Sequence, residues 1–181
     1  LEKIKLENTP VIFISGHFSN FELMAMEIEK SGVNLSAIYR PLNNVFLNLI
    51  MEKIRKKYIC KNQIKKGTGG VRELLKLYKK GYSIALMIDQ RVSEGIKSKF
   101  FSADAFTTTI PAQFVKKFNC KVVPIYIERH HGINFNINIE TPIEFTKNCS
   151  TEKITRDLNI WLEKMILKNP GEWIWSHNRW K

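Results

Sequence analysis

The feature that most restricts the fold is an alternation. Short β-branched, apolar runs change places along the chain with longer stretches whose apolar residues recur at helical spacing. "VIFIS" (11–15), "LSAIYRP" (35–41) and "YSIALMID" (82–89) have the length and composition of buried strands. Between them lie "NFELMAMEIEKSG", "NNVFLNLIMEKIRKKY" and "GGVRELLKLYKKG". In the first of these, Phe21, Met24, Ala25 and Ile28 share a face, Asn20 can cap the start and Gly32 can close the end. In the second, Phe46, Leu49, Ile50 and Ile54 form a stripe that reads as core-facing, and basic residues crowd the C-terminal end, where the helix dipole favours them. In the third, Val71, Leu74, Leu75 and Tyr78 stand opposite the lysines. Strands joined through helices must cross over to run parallel, so the pattern predicts an α/β fold with a mostly parallel central sheet flanked by helices.

Past Asp89 the pattern weakens. Residues 90–109 show little regular period and read as a long loop, a length seldom kept without a function. "IPAQFVKKFN" predicts a short helix with proline near its start, and "KVVPIYIE" and "INFNINIETPIEF" an antiparallel pair turning at "RHHG". "STEKITRDLNIWLEKMIL" predicts a last helix with Ser150 as N-cap and Glu152 in its first turn. Lys153 occupies the place where a reciprocal capping box would need an acid or amide.

With 181 residues, 44% of them hydrophobic and 25% charged, the chain suits one domain, residues 1–181, with a core of its own. No repeat, linker or low-complexity segment interrupts it. Cys60, Cys120 and Cys149 are odd in number and far apart, which speaks for a reducing compartment and structural roles. No window approaches the ~18 uninterrupted apolar residues of a spanning helix.

The net charge of +12 comes from 22 lysines and 7 arginines against 17 acids. Basic residues gather at Lys53-Arg55-Lys56-Lys57, at Lys61-Lys65-Lys66 and at Lys76-Lys79-Lys80. Such a surface attracts acidic proteins, anionic lipids and nucleic acid alike, and each cluster alone reads as a solvated helix face.

One stretch carries chemistry. "SGHFSNFE" (15–22) puts His17 in the turn between a strand and a helix, and Glu22 in that helix's first turn. In open α/β sheets ligands gather where strands hand over to helices, so a histidine there faces substrate. A carboxylate reaching back to the ring would fix its tautomer and raise the basicity of the other nitrogen, making a general base with its orienter. A histidine and an acid five residues apart are common by chance, so the pair alone is a weak signal.

The surrounding residues sharpen it. "GHFSNFE" resembles the H-x4-D/E motif of glycerolipid acyltransferases, most closely in the form found in the late acyltransferases of bacterial lipid A biosynthesis. "YRPLNN" (39–44), "MIDQ" (87–90), "FFSADAFTTT" (100–109), "VVP" (122–124) and the ending "WIWSHNRWK" resemble later blocks of that family in the same order, so the likeness covers nearly the whole chain. It implies a glycerolipid acyltransferase-like fold and transfer of a fatty acyl chain from acyl carrier protein, or coenzyme A, to a hydroxyl of a lipid A precursor. The implied place is the cytoplasmic face of the bacterial inner membrane, with an anionic lipid acceptor and the membrane surface as partners, no nucleic acid, and no cofactor or metal. Position by position it implies His17 as general base with Glu22 as its partner. Arg40 would bind phosphate or steady developing negative charge, and Asp89 and Gln90 would support the substrate site.

Two positions depart from the family pattern. Ser102 stands where glycine commonly follows the paired phenylalanines, and Ser19 takes the place of a second glycine in the first motif. Family members also usually carry a membrane helix before the histidine motif. Sixteen residues precede His17 here, so the chain is expected to lack that N-terminal anchor region.

Other readings carry less. A further lysophospholipid or glycerolipid acyltransferase would share the motif. A nucleic-acid-binding domain is suggested by charge and by Phe100, Phe101, Trp173 and Trp175, without a signature of a known module. "RHHG" lacks the aspartate of the H-H-x3-D-G acyltransferases, since Phe135 stands five after His130, and a metal site at His130, His131 and Cys120 fits no familiar ligand spacing. The last aromatic block reads as packing on the sheet, with contact of His177 and Arg179 to lipid head groups as the alternative.

Overall fold

The computed structural model describes residues 1–181, leaving aside the side chain of Thr68. The helices are α1 (Glu2–Glu7), α2 (Glu22–Lys30), α3 (Val45–Tyr58), α4 (Thr68–Lys79), α5 (Ile110–Phe118) and α6 (Thr151–Lys168). The strands are β1 (Ile12–Ser15), β2 (Leu35–Tyr39), β3 (Asn62–Lys65), β4 (Ser83–Met87), β5 (Ile96–Phe100), β6 (Ala103–Thr107), β7 (Val122–Arg129) and β8 (Phe135–Ile139). Six strands form one mostly parallel sheet in the order β3-β2-β4-β1-β7-β8, flanked by helices, which is the α/β fold the alternation predicts. The chain divides into two compact units, Leu1–Phe13 with Glu22–Leu86 and Ile14–Phe21 with Met87–Lys181.

In the first unit, β2 runs parallel to both β3 and β4, pairing Ile38 with Ile64 and Ser36 with Ile84. Leu35, Ile64, Leu74 and Ile84 are buried in its core. β3 is an element the sequence did not signal: "NQIK" offers one buried apolar residue, Ile64, and is held by its ladder to β2. α3 begins at Asn44, whose side chain accepts the Leu47 N–H at 3.1 Å. Its apolar stripe does not face the core, contrary to the reading above: Phe46, Leu49 and Ile50 are exposed, and the buried residue of the helix is Asn48. Helical spacing fixes that a face exists; what it meets is set by how the helix is seated.

In the second unit, β7 and β8 pair antiparallel around His130–Asn134, as expected. α6 starts at Ser150, whose hydroxyl accepts the Lys153 N–H at 3.1 Å, and buries Ile154, Leu158, Leu162 and Ile166 along one face. Leu162 is wholly enclosed, so its truncation to alanine would cost about 2–5 kcal/mol.

Residues 90–109 are not the irregular loop expected. β5 and β6 make a hairpin with Lys99 opposite Asp104, joined by an ion pair of 2.8 Å. Its inward positions on β5 include Ser98 beside Ile96 and Phe100, which blurred the two-residue period. Phe101 and Ser102 form the two-residue turn, with φ of +48° and +65°. Both angles are positive, as the hairpin turns that match strand twist require.

Candidate active site

The "SGHF" turn leaves β1 at Ser15, whose hydroxyl donates to the Ile125 carbonyl at 2.6 Å. A Cβ on Gly16 would stand 2.8 Å from Leu162 Cδ1 and 2.9 Å from Phe18 Cε2, so a methyl here would have to push both buried side chains aside. The turn is then pinned by the C-terminal segment. The Ser19 N–H donates to the Glu172 carbonyl at 2.8 Å and the Ile174 N–H to the His17 carbonyl at 3.1 Å, on either side of a bridge between Phe18 and Trp173. Ser19 lies at φ +44°, a conformation that favours glycine, which accounts for the family's preference at this position.

Held this way, His17 meets Asp89, which follows β4. Its backbone N–H donates to Asp89 Oδ2 and its ring Nδ1 lies against Oδ1, both at 2.7 Å. Trp173 Nε1 donates to Oδ2 at 2.9 Å. Asp89 is 3% exposed. Burial alone would push its carboxyl up, but the ring hydrogen bond and charge of His17, its backbone N–H and the Trp173 indole together hold it below the ordinary carboxylate value. An ionised carboxylate only accepts, so the proton between the two side chains sits on Nδ1, and in the neutral imidazole the lone pair is at Nε2. Gln90 Nε2 stands 3.4 Å from that nitrogen, and the Phe21 ring packs edge-on to the imidazole at 4.6 Å between centroids. His17, Asp89 and Gln90 are therefore brought together.

Glu22 lies in the first turn of α2. Its Oε1 accepts from Arg55 Nε and Nη2, each at 2.7 Å. Glu22 was expected to reach back to the His17 ring; the carboxylate the structure shows against that ring is Asp89. Arg40 follows β2 and is exposed.

Sequence reading missed the contacts of two residues, the Trp173 bond to Asp89 and the Arg55 bond to Glu22. Trp173 was left as an aromatic packing residue, although its place in the "WIWSHNRWK" block was a signal. Arg55 was merged with its neighbouring lysines, from which a helical wheel separates it. The same block settles the role of Arg179, which does not reach out to head groups. It is 0% exposed, donates to the Phe106 carbonyl and Thr107 Oγ1 at 2.6 Å each, and lies 5.1 Å from the Phe100 ring centre. Burial lowers its pKa to about 10, against the opposing pull of Asp89. Phe100 and Trp173 are buried too, whereas Trp175 is exposed. A cleft of about 240 Å³ lined by Ile4, Lys5, Asn8, Pro10, Val33 and Asn34 contains none of the candidate residues. Among the described residues, no helix is long and apolar enough to cross a membrane.

A family model described as "Bacterial lipid A biosynthesis acyltransferase" matches residues 1–181. The chain is 20% identical to "Lipid A biosynthesis acyltransferase 2" of Shigella flexneri, with 97% of this chain and 56% of that protein covered. It is 23% identical to "Lipid A biosynthesis acyltransferase" of Haemophilus influenzae, with 94% and 55% covered. The chain thus spans just over half the length of the curated relatives it matches.

Proposed function

Since this chain belongs to the bacterial lipid A biosynthesis acyltransferase family, we propose that it moves a fatty acyl chain from a thioester donor to a hydroxyl of a lipid A precursor, with His17 as general base. The observation that carries this is the 2.7 Å contact between Asp89 and His17 Nδ1, which in the neutral imidazole puts the proton on Nδ1 and leaves the Nε2 lone pair able to take a proton. In the proposed step, Nε2 removes the acceptor's hydroxyl proton as its oxygen attacks the thioester carbonyl. The tetrahedral intermediate carries the negative charge on the former carbonyl oxygen. Its collapse re-forms the carbonyl, breaks the carbon–sulfur bond, and the imidazolium returns the proton to the departing thiolate. Asp89 stabilises the imidazolium between those two transfers, and Trp173 and the His17 N–H keep the carboxylate aligned.

Acyl carrier protein is the preferred donor and coenzyme A the alternative, since an acidic carrier suits a chain of charge +12. The acceptor's phosphates would be met by the exposed Arg40. The expected place of action is the cytoplasmic face of the inner membrane. The deciding experiment is acyl transfer from labelled acyl carrier protein to a lipid A precursor, comparing the protein with its His17→Ala variant in the same membranes. Transfer is expected to disappear in the variant; equal transfer in both would remove His17 from the mechanism.

A further inference from the structure

α3 is seated the wrong way round for an ordinary surface helix. Its less exposed residues are Asn48, Met51, Glu52 and Arg55, three of them polar and one and two turns apart. Asn48 Oδ1 accepts the Leu42 N–H at 2.9 Å, and its amide donates to Glu52 Oε1 at 2.7 Å. The Tyr39 hydroxyl donates to the same oxygen at 2.7 Å, and Lys65 Nζ lies 3.1 Å from it. These partners, the Tyr39 hydrogen bond foremost, hold the Glu52 carboxyl down to about 2. Arg55 completes the seat through Glu22.

The opposite face is apolar and uncovered. Phe46 is 81% exposed and Ile50 54%, with Val45, Leu47, Leu49 and Ile54 exposed beside them. A turn further on, exposed Lys53, Lys56 and Lys57 stand beside Ile54 and Tyr58, and Lys57 Nζ lies 4.9 Å from the Tyr58 ring centre. A contiguous apolar patch of this kind marks a surface that meets something other than water. The composition selects what it meets. Interface cores between proteins are depleted in lysine, whereas phenylalanine, leucine and isoleucine beside a row of lysines match acyl chains beside phosphates. Lysine acts as a point charge on diffuse anions, which suits lipid head groups.

We propose that α3 is a membrane-docking helix that lays Phe46, Leu49, Ile50 and Ile54 into an anionic bilayer while Lys53, Lys56 and Lys57 meet the head-group phosphates. The inference deepens the proposed lipid-acylating role and rests on it for the acceptor's location, but docking is measured without turnover.

The test is sedimentation of the purified chain with vesicles of phosphatidylethanolamine and phosphatidylglycerol, and with vesicles of phosphatidylcholine alone. The chain should bind the anionic vesicles more tightly. Phe46→Ser with Ile50→Ser should weaken binding about 100-fold, since each large apolar side chain leaving water contributes roughly tenfold or more. Lys53→Gln, Lys56→Gln and Lys57→Gln should each weaken it about fivefold and together erase the preference for anionic lipid. A solvent-sensitive dye on Phe46→Cys should shift to the blue with vesicles and be quenched by brominated acyl chains. Because all these side chains point outward, thermal unfolding should be unchanged.

Absent vesicle binding, undiminished binding by the Phe46→Ser, Ile50→Ser variant, or a dye insensitive to brominated lipid would overturn the proposal. So would loss of self-association in that variant with vesicle binding intact, which would make the face a contact between copies. Acyl transfer to a detergent-dispersed acceptor separates the two readings. Transfer without docking sinks this inference alone, and docking without transfer sinks the acyltransferase reading alone.

Discussion

Replacing Asp89 by asparagine isolates the chemistry from the scaffold. The carboxylate accepts three N–H groups, two on Oδ2 and one on Oδ1. Asparagine can put its carbonyl where Oδ2 stood and keep the bonds from the His17 backbone and Trp173. Its NH2 then faces Nδ1, which must turn from donor to acceptor, so the ring proton moves to Nε2 and the base is lost. Transfer should fall by about 10²–10⁴-fold, the usual contribution of a positioned base. Stability should fall less, by about 1–3 kcal/mol, because charge-assisted bonds become neutral ones while the desolvation of a buried charge is relieved. The sign with pH follows from the depressed Asp89 value. The wild-type advantage is present above the ordinary aspartate value of about 3.9 and is lost as pH falls through the lower folded value. The assays are acyl transfer, denaturant unfolding across acid pH, and nitrogen NMR of the His17 ring. Transfer within a few-fold of wild type, or a wild-type ring protonated at Nε2 alone, would refute the reasoning.

Other outcomes follow from single contacts. Trp173→Phe removes the indole donor to Asp89 and should lower the turnover rate about tenfold with little change in apparent substrate affinity, measured by the split between kcat and KM. Ser102→Gly should stabilise the protein by about 0.5–1 kcal/mol in denaturant melts, because a serine at φ +65° is strained and glycine is not, even after glycine's larger unfolded-state entropy. Gly16→Ala should destabilise by about 1–3 kcal/mol, since the new methyl collides with Leu162 and Phe18. Glu52→Gln should flatten acid unfolding. The stability that Glu52 adds is present above the ordinary glutamate value of about 4.3 and is lost as pH falls toward 2, a dependence the variant should lack.

Much of this was legible in the residues alone, because periodicity is a local property of sequence. Short apolar runs placed β1, β2, β4 and β7, two-residue alternation placed β8, helical periods placed five of the helices, and the strand-to-helix turn put His17 at its loop without any contact being known. Four things were not legible. β3 has one buried apolar side chain and exists through its pairing with β2. The β5–β6 hairpin hides its period behind Ser98, and the Asn159 amide and the Arg179 guanidinium tie its backbone carbonyls at Lys99 and Phe106. The partner of the His17 ring is an aspartate 72 positions away, and a chain of residues does not announce which carboxylate folding will deliver to a nitrogen. The outward stripe of α3 was visible as a stripe but not as a surface, since the polar seat of Asn48, Glu52 and Arg55 depends on Tyr39 and Lys65 arriving from other elements. Local periods therefore determined which segments are helix or strand and where the turns fall. Long-range pairing decided which acid lies against the histidine ring and which face of α3 is left to the solvent, because both depend on groups brought together only when the chain folds.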